Sequence, residues 1–166
     1  QEMIARNYTV GEVDSVTGPT IGRPKSATFR TLDVVGLDTF AHVAKNVYDK
    51  TTGDEQAVFE ESPILNKMIA NGWIGAKSGQ GFFKKEGKEI LELNLSTFEY
   101  EPVKKLKAPS LEMAKQARGL GNRVKTLVYA NDRVGELLWN IFAPTLIYSA
   151  QLTGEIADDI LAIDNA

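Results

Sequence analysis

Apolar positions recur at helical spacing along most of this chain, and the breaks between them carry turn chemistry. Val10, Val13 and Val16 follow Thr9 and Glu12, a T-x-x-E capping box, so a short helix is expected there, preceded by the tail of another over residues 1–8. Gly18, Pro19, Gly22 and Pro24 then force a loop, because glycine frees φ and proline removes a backbone donor. A helix is expected from about Ser26 to Val35. Another is expected from Asp38, which can cap it, to Asp49; its stripe of Phe40, Ala41, Ala44, Val47 and Tyr48 has the spacing of a core-facing helix. Ser62 as N-cap, Pro63 at the first helical position and Gly72 past the end delimit a further helix.

The period then changes. Gly81–Lys85 and Lys88–Leu93 flank Glu86-Gly87 and predict a small β-hairpin with a tight turn. Residues 94–109, rich in charge and closed by Pro102 and Pro109, are expected to be a linker. Helices return over Ser110–Arg118, Asn122–Ala130, Asp132–Gln151 and from Glu155 onward. Val13-Asp14-Ser15-Val16 lines up with Ile163-Asp164-Asn165-Ala166, and Val10 with Ile160, a faint internal repeat. The expected organisation is a first helical unit with the hairpin over 1–93, a linker over 94–109 and a second, truncated helical unit over 110–166. The chain opens on Gln1 rather than methionine and stops at Ala166 with no glycine or proline to end the helix, so both ends are read as internal to a longer polypeptide.

Composition narrows the function classes. With 166 residues, 43% apolar and 25% charged, the chain has the make-up of an ordinary globular protein with a real core. Its 19 basic and 22 acidic residues give a net charge of −3, and no electrostatic reason to expect nucleic acid or an anionic membrane. The absence of cysteine excludes disulfides and thiolate chemistry, and a single histidine argues against a zinc site. No apolar run approaches the roughly 18 residues of a membrane span, no signal peptide is visible, and the expected location is cytoplasmic.

Two spaced motifs carry more. Gly18, Pro19, Gly22, Pro24, Phe29 and Leu32 lead into Asp33-x-Val35-Gly36-Leu37-Asp38, and Lys77-x-Gly79-x-Gly81-Phe82 follows. In this order they resemble the carboxy-terminal helical domain of 3-hydroxyacyl-CoA dehydrogenases. The loop reads Pro-Lys-Ser-Ala-Thr-Phe over Pro24–Phe29, not the commoner Pro-Met-Gly-Pro-Phe, and so looks more like the larger, multifunctional members. The resemblance implies an all-α, 6-phosphogluconate-dehydrogenase C-terminal-domain-like fold with one small hairpin, carried in duplicate in the larger members. It implies a parent that oxidises (S)-3-hydroxyacyl-CoA with NAD. The family's catalytic histidine, glutamate and serine lie on a preceding Rossmann domain, which also binds NAD, and its asparagine would lie upstream of Gln1. No catalytic, cofactor or metal residue is therefore expected in this chain.

What the resemblance assigns here is the cleft wall and the contacts between domains or subunits. An acyl chain needs an apolar wall with a few polar anchors. Pro24, Ser26, Thr28, Phe29 and Leu32 are the candidate substrate contacts, with Phe29 and Leu32 as wall and Ser26 and Thr28 as hydroxyl anchors; a purely structural loop is the alternative for each. The implied partners are the acyl-CoA substrate, the chain's own Rossmann domain, and a second copy or a thiolase. A rival reading from another class is a non-catalytic helical interaction module with the same fold. Other chemistry-bearing residues have plainer readings. His42 sits beside the apolar stripe of its helix as a surface histidine. Arg118–Arg123, RGLGNR, has two glycines but no preceding strand, and Gly75–Phe83 leads to a hairpin rather than a helix, so both are read as turns and not phosphate loops. Lys104, Lys105 and Lys107 are a solvated basic cluster, with an acidic partner or the CoA phosphates as the alternative.

Overall fold

The computed structural model describes residues 2–165, so the expectations that rest on Gln1 and Ala166 lie outside the described residues. The chain forms two compact units, one over Met3–Leu106 and one from Lys107 onward.

The first unit opens with α1 (Glu2–Ala5) and α2 (Val10–Val16). The capping box forms as expected: Glu12 N–H donates to Thr9 Oγ1 at 3.2 Å, and Thr9 N–H to Glu12 Oε2 at 3.0 Å. Val10, Val13 and Val16 are buried. A 3-10 turn over Pro19–Ile21 begins the glycine-proline loop. The next helix, α3 (Phe29–Val35), starts later than the expected Ser26. Ala27 stands at φ 51°, in the left-handed region, and cannot belong to a right-handed helix.

Gly36, at φ 98°, makes the corner into α4 (Leu37–Tyr48). Asp38 lies in the first turn of α4 instead of capping it, and pairs with Lys77 Nζ at 2.7 Å. The expected core stripe of α4 is only partly covered. Leu37 is fully buried and Ala41, Ala44, Val47 and Tyr48 are half-buried, but Phe40 is 40% exposed. A short α5 (Gly53–Val58), which no sequence pattern announced, precedes α6 (Pro63–Ala70). Ser62 caps α6 and Gly72 follows it at φ 74°, as expected.

The hairpin pairs β1 (Phe83–Glu86) with β2 (Glu89–Leu93). Glu86 sits opposite Glu89, so the turn is Gly87-Lys88, one residue beyond the expected Glu86-Gly87. Within residues 94–109 the chain returns as β3 (Tyr100–Pro102), antiparallel to β2 with Leu93 opposite Tyr100. The sheet therefore has three strands where a hairpin alone was expected. Val10, Leu37, Leu65, Met68, Phe82 and Leu93 form one buried cluster, drawn from α2, α4, α6, the glycine segment and β2.

The two sequence motifs meet in this core. The Asp33 carboxylate accepts Phe82 N–H and Phe83 N–H, both at 2.8 Å. A Cβ on Gly81 would fall onto that carboxylate, and one on Gly75 onto the backbone of Asp33. Gly75 and Gly81 are glycines because Asp33 of the first motif occupies the space, whereas Gly79 stands at φ 79° with open space around it.

The second unit holds α7 (Pro109–Gln116), α8 (Leu120–Val128), α9 (Arg133–Gln151) and α10 (Ile160–Asp164). The helix expected from Glu155 starts only at Ile160, where the Asp159 carboxylate accepts Ala162 N–H at 2.9 Å. Asp132 caps α9 through Val134 N–H at 3.0 Å and Gly135 N–H at 3.2 Å, and also takes Ser110 N–H at 3.2 Å and Ser110 Oγ at 3.1 Å. One side chain thus starts α9 and ties it to α7. Ala114, Leu127, Val134, Leu137 and Leu138 are the buried apolar residues of this unit.

Two predictions follow from these carboxylates. In Asp33→Asn, one carboxylate oxygen becomes an amide donor facing a backbone N–H, which leaves that N–H without an acceptor. The first unit should lose about 1–3 kcal/mol in urea unfolding followed by Trp73 fluorescence; a loss within about 0.5 kcal/mol would show that the carboxylate is not the tie. Asp132→Ala should cost the second unit about 1–2 kcal/mol, reported by Trp139. Burial pushes the Asp132 carboxyl up, but the Ser110 hydroxyl and the amides of Gly135, Ser110 and Val134 outweigh it and hold it below its ordinary value of 3.8. A lowered folded value means a contribution that is present above 3.8 and lost as pH falls through the folded value. The variant should show less acid sensitivity than the native chain below about pH 4, and equal sensitivity would count against the assignment.

Candidate substrate-facing loop

The loop between α2 and α3 is held from one side by α2. Gly18 C=O accepts Ile21 N–H and Arg23 N–H, each at 3.1 Å, and Ala27 N–H donates to Pro24 C=O at 3.0 Å. The first amides of α3 have no side-chain cap of their own. Asp14 supplies it from α2: Oδ1 accepts Thr28 N–H at 3.1 Å and Phe29 N–H at 2.7 Å, and Oδ2 accepts Arg30 N–H at 3.0 Å. A carboxylate at a helix N-terminus satisfies orphan donors and meets the positive end of the dipole. The Thr28 hydroxyl donates to Thr17 Oγ1 at 2.8 Å, and Thr17 passes the chain on to Val13 C=O at 3.0 Å.

The five residues expected to meet substrate have different surroundings. Pro24 is exposed. Ser26 is half-buried, and its Oγ accepts Thr31 Oγ1–H at 2.8 Å. Thr28 spends its amide on Asp14 and its hydroxyl on Thr17. Phe29 and Leu32 lie on one face of α3 and pack against the core cluster, with the Phe29 ring 4.6 Å from that of Phe82. The structure therefore brings Phe29 and Leu32 together, while Pro24 and Ser26 lie on the more open part of the loop. The last turn of α3 carries Val34 and Val35, 73% and 50% exposed, an apolar surface at the far end of the helix from the loop that the sequence reading did not single out.

Asp14 was also missed. Its only signal in the sequence was an acidic residue among the valines of a short helix that runs into a glycine-proline loop. Burial pushes the carboxyls of Asp14 and Asp33 up, against the pull of their backbone donors and of Arg30. The lone pairs of both face backbone amides, so they hold structure rather than move protons. The Arg30 guanidinium lies over the Phe83 ring at 4.7 Å. Tyr100 donates its hydroxyl to Gly81 C=O at 2.6 Å, and burial pushes the phenol up to about 12.

The other candidates resolve simply. His42 is exposed on α4. Lys104 pairs with Glu101 at 2.8 Å, and Lys105 and Lys107 are exposed. A cleft of about 420 Å³ is lined by Lys45, Tyr48, Phe59, Glu60 and Glu61, with Lys45 held by Asp49 at 2.9 Å. The residues present do not fit a dinucleotide. The sheet is antiparallel, Gly75 and Gly81 pack on Asp33, and Gly119 opens α8 after a helix rather than a strand. Among the described residues there is no group of three or more histidine, cysteine, aspartate or glutamate side chains that could hold a metal ion, and no helix long and apolar enough to cross a membrane.

Comparison with known proteins bears on the same segments. The family described as 3-hydroxyacyl-CoA dehydrogenase, C-terminal domain, matches residues 1–85, which contain the loop, both motifs and the Asp33 tie. The chain is 64% identical over all 166 residues to a probable 3-hydroxyacyl-CoA dehydrogenase of Bacillus subtilis (strain 168), of which it covers 21%. It is 44% identical over 97 residues, 58% of the chain, to a protein of the same description from Deinococcus radiodurans, of which 28% is covered. It is 24% identical over 167 residues, 97% of the chain, to a putative fatty acid oxidation complex trifunctional enzyme of Rickettsia prowazekii (strain Madrid E), of which 22% is covered. The chain thus spans between about a fifth and somewhat over a quarter of the length of these curated relatives. No solved structure matches it. With the matched residues spanning half the chain and including the interlocked pair of motifs, the chain belongs to the family of 3-hydroxyacyl-CoA dehydrogenase C-terminal domains.

Proposed function

We propose that this chain is the substrate-cleft and interdomain part of an NAD-dependent (S)-3-hydroxyacyl-CoA dehydrogenase of fatty-acid β-oxidation. It closes the cleft over the acyl chain through the loop of Pro24, Ser26, Thr28, Phe29 and Leu32, and it is inactive without its Rossmann domain. NAD would be held by that domain, outside this chain, and would take the hydride from the 3-hydroxyacyl group there. The reading extends to two helical units, 1–93 and 110–166, the second related to the first as a repeat. A second copy or a thiolase as further partner and a cytoplasmic setting complete it.

The observation that carries the proposal is the way the matched region is built. Asp33 binds the two family motifs into one body, and Asp14 fixes the loop to the edge of that body. A shaped loop on a rigid scaffold is how proteins present a binding surface.

The chain alone should neither bind NADH nor oxidise 3-hydroxybutyryl-CoA. A fluorescence titration giving a dissociation constant in the micromolar range would overturn the division of labour. In the full-length enzyme, Phe29→Ala should reduce kcat/KM for long acyl chains about five- to thirtyfold more than for short ones, from roughly 1–2 kcal/mol of lost apolar contact. Phe29 also leans on Phe82, so some loss of melting temperature accompanies the change. Equal loss at every chain length, together with a large drop in melting temperature, would assign Phe29 to the core and remove it from the cleft wall.

A further inference from the structure

Resting on the reading of the Pro24–Phe29 loop as part of the acyl-chain wall, we propose that Asp14 is a positioning residue for substrate: its carboxylate holds the amides of Thr28, Phe29 and Arg30 and so fixes the shape of that loop. The loop does not hold this shape by local preference. Ala27 sits at φ 51°, which a residue with a Cβ adopts only at a cost. Such a conformation persists where its surroundings over-determine it, and strain of this kind clusters at ligand clamps. The hydroxyl of Thr28, the N-cap residue of α3, is committed to Thr17 instead. The three consecutive amides that follow Ala27 all converge on Asp14.

Asp14 can do this because α2 is itself anchored. The Thr9–Glu12 box fixes its start, the Glu92 carboxylate takes Gly11 N–H, and Ser15 Oγ takes Leu106 N–H at 3.2 Å. Val10 and Val16 on the same helix are fully buried. The line of constraint runs from the core through α2 to one carboxylate and into the loop. Loosening that carboxylate should let Ala27 relax and move Phe29 and its neighbours relative to any acyl chain they meet. A misplacement on the order of 1 Å is enough to change substrate use strongly.

The test uses the full-length enzyme, with Asp14→Asn, Ala27→Gly and the double variant. Two readouts are taken: amide hydrogen exchange over residues 24–30, and KM and kcat for 3-hydroxyacyl-CoA substrates of four and sixteen carbons. Asp14→Asn should speed exchange in the loop at least about tenfold, and raise KM for the long substrate at least about fivefold more than for the short one. Ala27→Gly removes the strain, so the double variant should recover much of the lost long-chain KM. A role confined to stability would instead lower the melting temperature and depress both substrates alike, without rescue by Ala27→Gly, and that result overturns the proposal. Unchanged exchange in Asp14→Asn overturns it as well, whatever the substrate result. Faster exchange with KM unchanged at both lengths overturns the reading of the loop as acyl-chain wall, and the positioning role with it.

Discussion

The Asp33 carboxylate is the constraint on which the rest of the first unit depends. It comes from the middle of α3 and takes two consecutive amides some fifty residues away, Phe82 and Phe83. Making that contact requires the glycine segment to approach α3 at backbone distance, which is why Gly75 and Gly81 cannot carry a Cβ. It delivers Phe82 into the buried cluster and starts β1 in a fixed register. The Phe29 ring then meets Phe82 and the Tyr100 hydroxyl closes on Gly81 C=O, so β3 is drawn to the same point. The ion pair of Lys77 with Asp38 lies on the exposed side of this junction; screening makes it a minor contributor beside the buried amide bonds.

The same device recurs. Asp14 takes three amides at the start of α3, and Glu92, fully buried on β2, takes Gly11 N–H and Lys104 N–H. Each is a carboxylate paired with fixed backbone donors and not with a flexible cation. Burying a carboxylate is costly unless its oxygens are satisfied, and amide donors satisfy them without the rotamer entropy of a lysine or arginine. Burial nonetheless pushes all three carboxyls above their ordinary values. The return on this arrangement is geometric. Each carboxylate accepts donors only where the two backbones lie in one relative position, so the three together fix how α2, α3 and the sheet meet.

This explains what could be read from the sequence. The caps at Thr9 and Ser62, the proline at position 63 and the spacing of the valines in α2 act within a few residues, and the elements they predict are present. The start of α3 was misjudged because it is set by Asp14 across the glycine-proline loop and by the left-handed Ala27, neither of which leaves a local pattern. β3 was hidden for a similar reason: three residues with a proline at the end show no alternation, and the strand exists only because β2 offers an edge. The stripe on α4 predicted a core face, but the periodicity could not say that Phe40 would stay 40% exposed. At the candidate loop, the residue types were legible and their environments were not. Phe29 and Leu32 lean inward, and the carboxylate that shapes the loop comes from the preceding helix.

The loop separates the groups that set its shape from the side chains it exposes. Pro24 can vary in size or polarity without touching the core, because the backbone amides of Thr28, Phe29 and Arg30 set the loop's shape and not its exposed side chain. Phe29 is the exception, since its ring is shared between the loop and the Phe82 contact. A surface built this way can alter what it meets while keeping where it stands. Asp14, Asp33 and Gly81, by contrast, are constrained by the backbone geometry they hold together.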